Sequence, residues 1–292
     1  VVWQAFGGYE CLASVPFSVF LIPQEFIIKR LLTAVIALPL LILLVLKGTS
    51  AQFGYFVIVL TLLALGEFFR MAMPERRALG FAASVAGTLL PLTALFTKSI
   101  PLVPVMTLQA ICFALYFLFT FEELKEATRE MSILCLGLMY VPLLIVHLQL
   151  LRQLPHGQEW TFLLMVIVMV GDSGAFYVGS SLGKHRLCPL VSPKKSVEGA
   201  VGGLAGSVMG AIIAKYTFFP QLTIVDACVT ALFIGALGQL GDLFESFLKR
   251  SFGVKDSGAI FPGHGGVLDR LDSILFAAPA AFYYASYLFP FK

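Results

Sequence analysis

The chain has 292 residues, of which 59% are hydrophobic and only 13% charged, and its mean hydropathy is +0.91. A soluble domain carries about 25% charged residues, so a soluble globular enzyme is excluded and an all-α polytopic membrane protein is expected. The net charge of +3 is small, and the basic residues fall in loops beside apolar runs rather than on an independent basic domain, which argues against nucleic acid as a partner.

Residues 1–25 contain no Lys or Arg. Their apolar part, Cys11 to Pro23, is interrupted by Pro16 and is shorter than the roughly 20 residues a span requires. An atypical N-terminal extension, interfacial or disordered, is expected there. The five cysteines, Cys11, Cys112, Cys135, Cys188 and Cys228, never stand in Cys-x-x-Cys spacing, so neither a disulfide framework nor a zinc site is expected.

Apolar runs long enough to cross a bilayer then follow one another. They are expected near Leu31–Leu46, Gln52–Phe69, Leu79–Phe96, Leu102–Phe121, Met131–Leu151, Trp160–Ser180, Val197–Phe219, Thr223–Leu248 and Leu271–Phe289, which makes about nine helices. Pro91 makes the third a candidate for a break. Lys and Arg orient the set. With nine spans, fifteen of the 20 lie on the side of the N-terminus and the even-numbered connections, and five (Lys47, Lys98, Arg152, Lys215, Lys292) lie on the other. The richer side is therefore expected to face the cytoplasm, from an inner (cytoplasmic) membrane.

Residues 26–155, about five helices, carry almost no polar groups in mid-span and read as scaffold. Glu67 and His147 are assigned packing or interface roles, and the mixed-sign stretch Glu122 to Glu130 reads as a solvated connection. Residues 156–292, about four helices, change character and are expected to enclose a polar cavity open to the cytoplasm. Asp172 lies about 18 Å along the sixth run from Trp160. A carboxylate at that depth needs a cation or hydrogen-bonding partners. In the loop Gly183 to Gly199, Ser192-Pro193 reads as an N-cap and first helical position. That places Lys194 and Lys195 in a first turn, where cations oppose the helix dipole unless an anion binds. Gly202, Gly206 and Gly210 follow four residues apart and form a small face for close helix packing.

The densest charge lies from Gly241 to Asp272, GDLFESFLKRSFGVKDSGAIFPGHGGVLDRLD, where nine of 32 residues are charged. Asp242, Glu245, Ser246 and Lys249 share one helical face, and Asp269, Arg270 and Asp272 open the last run. Asp242 and Asp269 can converge on a hard cation such as Mg²⁺, with Asp172, Glu245 and Asp272 as further candidate ligands. Glu245 is equally readable as an i+4 ion-pair partner of Lys249. His264 stands between glycines, as an acid/base or as a donor shaping the turn, and Gly265 and Gly266 would let backbone amides approach a phosphate. The residues alone reach a phosphoryl- or nucleotidyl-transfer site on one membrane face, with an acceptor able to come from the bilayer.

Ser246, Lys249-Arg250, Lys255-Asp256, Gly258, His264-Gly265-Gly266, Asp269-Arg270 and Asp272 resemble, in type and spacing, the signature of the phosphatidate cytidylyltransferases, or CDP-diacylglycerol synthases. About ten fixed positions within 27 residues make the signal specific. The Asp172-Ser173-Gly174 triplet and the run Ser192-Pro193-x-Lys195-Ser196-x-Glu198-Gly199 are similar to that family too. The resemblance, which begins near Phe26, implies transfer of the cytidylyl group of CTP to phosphatidic acid, giving CDP-diacylglycerol and pyrophosphate. It implies catalytic roles for Asp242, Asp269, Lys249, Arg250, Lys255, Asp256, His264 and Arg270. Substrate contacts would come from Ser192, Lys194, Lys195, Ser196, Glu198, Asp172, Ser246, Gly265 and Gly266. The family is also described with a monovalent cation such as K⁺ beside Mg²⁺, and as a homodimer. Alternatives are a CTP-dependent enzyme acting on another lipid (a polyprenol kinase or CDP-archaeol synthase) and, more distantly, an anion transporter.

Overall fold

The computed structural model describes residues 39–96, 102–260 and 265–289. The N-terminal extension, most of the first expected span and His264 lie outside these residues. The described chain is helical apart from one short hairpin. Helix α1 covers 39–47, followed by α2 Ser50–Ala72, α3 Arg77–Gly87, α4 Leu89–Phe96, α5 Leu102–Thr120, α6 Leu124–Tyr140, α7 Pro142–Gln153 and α8 Gly157–Leu182. The hairpin β1 Arg186–Cys188 and β2 Ser192–Ser196 comes next, then α9 Val197–Thr217, α10 Ile224–Ser251 and α11 Leu268–Tyr283, which runs on into a π-helical turn, Tyr284–Leu288.

Among the described residues, seven segments are long and apolar enough to cross a membrane: Ser50–Ala72, Arg77–Phe96, Val103–Thr120, Leu124–Gln153, Gly157–Leu182, Val197–Thr217 and Ile224–Ser251. The protein is therefore an all-α, multi-pass membrane protein. Local chemistry sets the ends of its helices. Thr49 opens α2 with a capping box: its hydroxyl accepts from the Gln52 amide, and the Gln52 side chain accepts from the Thr49 amide. Thr223 and Asp226 repeat the device at α10. Proline explains the breaks inside two spans, because it supplies no N–H to the carbonyl four residues back. Pro91 follows the break at Thr88 between α3 and α4, and Pro142 begins α7 after the break at Val141. The stretch Glu122 to Glu130 is not simply a connection. From Leu124 onward it is the first two turns of α6, where Glu126 pairs with Arg129 and Glu130 with Arg76.

The hairpin overturns the helix expected at Pro193. Ser192 to Ser196 is strand, and α9 starts at Val197 with Ser196 as its N-cap, the Ser196 hydroxyl accepting from the Gly199 amide at 3.1 Å. Ser-Pro is an acceptable helix opening, but Ser196 offers an equally good cap next to the apolar run. The outcome matters because strand neighbours point to opposite sides. Lys194 is exposed while Lys195 turns inward.

The glycines of α9 do lie against α8. A Cβ on Gly206 would stand 2.7 Å from the Val170 carbonyl oxygen, and one on Gly174 equally close to that of Gly202. The opposing atoms are backbone and cannot give way. Gly206→Leu is expected to force α8 and α9 apart and lower stability by about 1–3 kcal/mol, read as a loss of thermal stability in detergent.

The N-terminal half is not separate from the rest. Tyr140 of α6 packs edge-on against Phe244 of α10 at 5.2 Å between centroids, and Phe68 of α2 meets Phe252 after α10 at 6.1 Å. His147 of α7 is buried, with one ring nitrogen 2.8 Å from the Leu143 carbonyl oxygen and the other 3.2 Å from the Tyr283 hydroxyl, as its packing role requires.

Candidate active site

The last turns of α10, the loop after it and the first turn of α11 bring the charged residues together. Asp242, Glu245 and Lys249 share a face of α10. Gly241 brings α11 close, since a Cβ there would meet the Asp272 carbonyl oxygen. Lys249 bridges the two helices: its ammonium pairs with Glu245 one turn back at 2.5 Å and with Asp269 of α11 at 2.7 Å. All three are largely buried, with side chains 13%, 1% and 8% exposed. So few water contacts leave each charge dependent on its partners.

Asp269 is the most heavily bonded carboxylate in the group. While Oδ1 takes Lys249, Oδ2 accepts from the Gly266 amide at 2.7 Å and from the amide and hydroxyl of Ser257, both at 3.0 Å. Gly265 allows this turn with a φ of 81°, a conformation that side chains other than glycine disfavour. The Gly-Gly pair expected to cradle a phosphate thus uses at least one of its amides to hold Asp269.

A second cluster lies beside the first. Lys195 of β2 reaches Asp242 at 2.6 Å. Asp172 of α8 lies within electrostatic reach of Asp242 and Lys195, and Asp272 within reach of Asp242 and Asp172. The two aspartates expected to converge, Asp242 and Asp269, are instead each held by their own lysine. The acidic set that forms is Asp172, Asp242 and Asp272, three carboxylates with Lys195 beside the first two and Lys249 within reach of the third. Among the described residues no group of three or more Asp, Glu, His or Cys side chains stands close enough to hold an ion as arranged here. The excess of negative charge in this set nevertheless fits a hard divalent cation, as does its all-oxygen composition.

The remaining expected residues are more scattered. Arg250, Lys255, Asp256 and Arg270 are exposed, and Ser246 is half-buried on α10. Glu198 is committed to its own loop: it accepts from the Lys184 and His185 amides and pairs with the His185 ring at 2.6 Å. Ser192 is half-buried in β2, and Ser196 is the cap of α9.

Two residues from the N-terminal half reach the site, and sequence reasoning assigned neither to it. Tyr140 is buried, its hydroxyl has no hydrogen-bond partner among the described residues, and it lies in the fields of Glu245, Asp272 and Asp242. Glu67 touches the loop that carries Ser257. A buried ionisable group near the end of an apolar span was the available signal for Glu67; nothing marked Tyr140. A cavity of about 420 Å³ lies elsewhere, at the ends of α5 and α6, lined by Glu75, Arg76, Glu122, Glu123, Glu126 and Glu130 among others. Its acidic wall would repel a triphosphate, so its size does not make it the site.

Residues 28–288 match the cytidylyltransferase family. The chain belongs to that family. Among its relatives, a phosphatidate cytidylyltransferase of Bacillus subtilis (strain 168) is 33% identical over 262 residues, covering 87% of this chain and 96% of the relative. One from Staphylococcus haemolyticus (strain JCSC1435) is 32% identical over 253 residues, covering 86% and 95%. As in any cytidylyltransferase, the chemistry to be accommodated is a nucleoside triphosphate. Of the two lysine–aspartate contacts, Lys195–Asp242 is the more open, with side chains 27% and 32% exposed against 13% and 8% for Lys249–Asp269.

Proposed function

We propose that the protein transfers the cytidylyl group of CTP to phosphatidic acid, giving CDP-diacylglycerol and pyrophosphate. The observation that carries this reading is the bridge of Lys249 between Glu245 and Asp269, formed within the densest charged segment of a chain belonging to the cytidylyltransferases. A phosphate oxygen of the lipid attacks the α-phosphorus of CTP. The bond from that phosphorus to the α,β-bridging oxygen breaks, and pyrophosphate leaves with the electron pair. The nucleophile is already anionic, so no residue needs to act as a general base. Lys195 and Lys249 neutralise phosphate charge inside the site, and Arg250, Lys255 and Arg270 do so at its rim. Fixed positions on α10, α11 and β2 hold the two reacting groups together. Asp172, Asp242 and Asp272 would hold Mg²⁺, which when bound offsets triphosphate charge.

Purified protein supplied with Mg²⁺, phosphatidic acid and each of the four nucleoside triphosphates in turn is expected to release pyrophosphate with CTP alone. Turnover of CTP with a polyprenol but not with phosphatidic acid would overturn the acceptor assignment. The distribution of Lys and Arg supports a site that faces the cytoplasm. Leu190→Cys, at the exposed hairpin tip, is expected to label only from the cytoplasm, and Gln221→Cys, between α9 and α10, only from outside. Labelling of both from one side would refute this topology.

A further inference from the structure

Glu67 sits on α2, about 26 Å along the axis from Ser50, in the half of the chain with the fewest charges. Its side chain has no solvent exposure. Among the described residues no Lys or Arg pairs with it. A buried carboxylate is costly unless hydrogen bonds compensate it, and the partners of Glu67 among the described residues bond only its Oε2 and come from the active-site segment about 190 residues later. Oε2 accepts from the Leu268 amide at 2.8 Å and lies 3.0 Å from the Ser257 hydroxyl.

Both contacts have a structural consequence. Leu268 is the first residue of α11, and its N-cap, Val267, offers no side-chain cap. Glu67 therefore caps α11 from another helix, where a negative charge also suits the helix dipole. The Ser257 hydroxyl stands 3.0 Å from Glu67 Oε2 and 3.0 Å from Asp269 Oδ2. It has one proton to give, so the two carboxylates are coupled through it. The loop is shaped around the same group: a Cβ on Gly258 or on Gly266 would collide with the Glu67 carboxylate.

We infer that Glu67 is a positioning residue, which docks Ser257 and Leu268 on α2 and so sets the start of α11, and with it the place of Asp269 and Asp272. The inference rests on the proposed reaction only for its kinetic consequence; the docking itself is independent of what is catalysed.

Glu67→Gln keeps size and one acceptor, and Glu67→Ala removes both. Loss of a partner that orients an active-site carboxylate is expected to lower kcat roughly 10- to 100-fold, more for Ala than for Gln. KM for CTP should stay within about twofold, and the Mg²⁺ concentration needed for half-maximal activity should rise. Ser257→Ala should act in the same direction, and Glu67→Gln combined with it should cost less than the product of the two single effects, because the residues share one network. Hydrogen–deuterium exchange without substrate should speed up across 257–268 in Glu67→Gln while α8 and α9 stay protected. Unchanged exchange there would overturn the docking role, and unchanged kcat in both Glu67 variants would overturn the link to catalysis. A wild-type protein that fails to turn over CTP would instead overturn the reaction while leaving the exchange result to decide on Glu67. Should Glu67→Ala fail to fold, Glu67→Gln carries both measurements.

Discussion

Lys249→Met is expected to abolish cytidylyl transfer and also to destabilise the protein. The ammonium bridges Glu245 and Asp269 from two helices, in a place almost closed to water. Methionine retains much of the length of the side chain and none of its charge. The variant leaves Glu245 buried without its cation, and breaking a buried pair by deleting one member costs about 3–5 kcal/mol. Activity should fall further than stability explains, by at least about a hundredfold, if the ammonium also neutralises charge developing on the phosphates. A second variant separates the two effects. Glu245→Gln with Lys249→Met removes one of the two stranded charges, and Asp269 keeps its Gly266 and Ser257 donors, so thermal stability should return in part while turnover stays lost. Turnover that returned together with stability would reduce Lys249 to a structural tie between α10 and α11.

How much of this was legible in the sequence differs with the kind of interaction. The membrane class and most helices followed from apolar run lengths, since a span is a long local pattern. The small face of Gly202, Gly206 and Gly210 followed in the same way, and its close approach to α8 is seen. The start of α9 was misread because two serines compete to cap it, and the choice between Ser192 and Ser196 depends on β1, which supplies a partner strand. That error concealed the separation of Lys194 from Lys195. Pairings across the chain were the hardest to foresee. Asp242 and Asp269 looked like one metal pair because both end spans, yet Lys195 and Lys249 draw them into different groups. Glu67 looked like a packing residue because its partners are one backbone amide and a serine, which carry no charge to betray the match.

Asp242→Asn and Asp272→Asn are expected to show the opposite signature to Lys249→Met, with activity lost and stability kept or raised. Asp242 and Asp272 each lie in the field of the other acids of the cluster, where Lys195 pairs with Asp242 and Lys249 reaches Asp272. Like charges so placed repel, and turning one carboxylate into an amide of equal size removes part of that repulsion. A cluster that is unfavourable for the fold and lies at a reacting centre fits the usual trade of stability for function. The function proposed for it is to hold Mg²⁺ against the incoming triphosphate. Each substitution should then lower turnover at least about a hundredfold, the scale of losing one electrostatic contribution to the transition state. EDTA should abolish wild-type activity, and Mg²⁺ or Mn²⁺ should restore it. Mn²⁺ binding followed by electron paramagnetic resonance, with and without CTP, gives a measure that does not depend on turnover, and both variants should bind the ion more weakly. Asp269→Asn is the informative contrast. That carboxylate is already saturated by Lys249, Ser257 and Gly266, so its loss should loosen Ser257 and Gly266 and lower stability as well as activity. Near wild-type turnover in both Asp242→Asn and Asp272→Asn would remove the metal from this cluster and leave Asp242 as no more than the partner of Lys195.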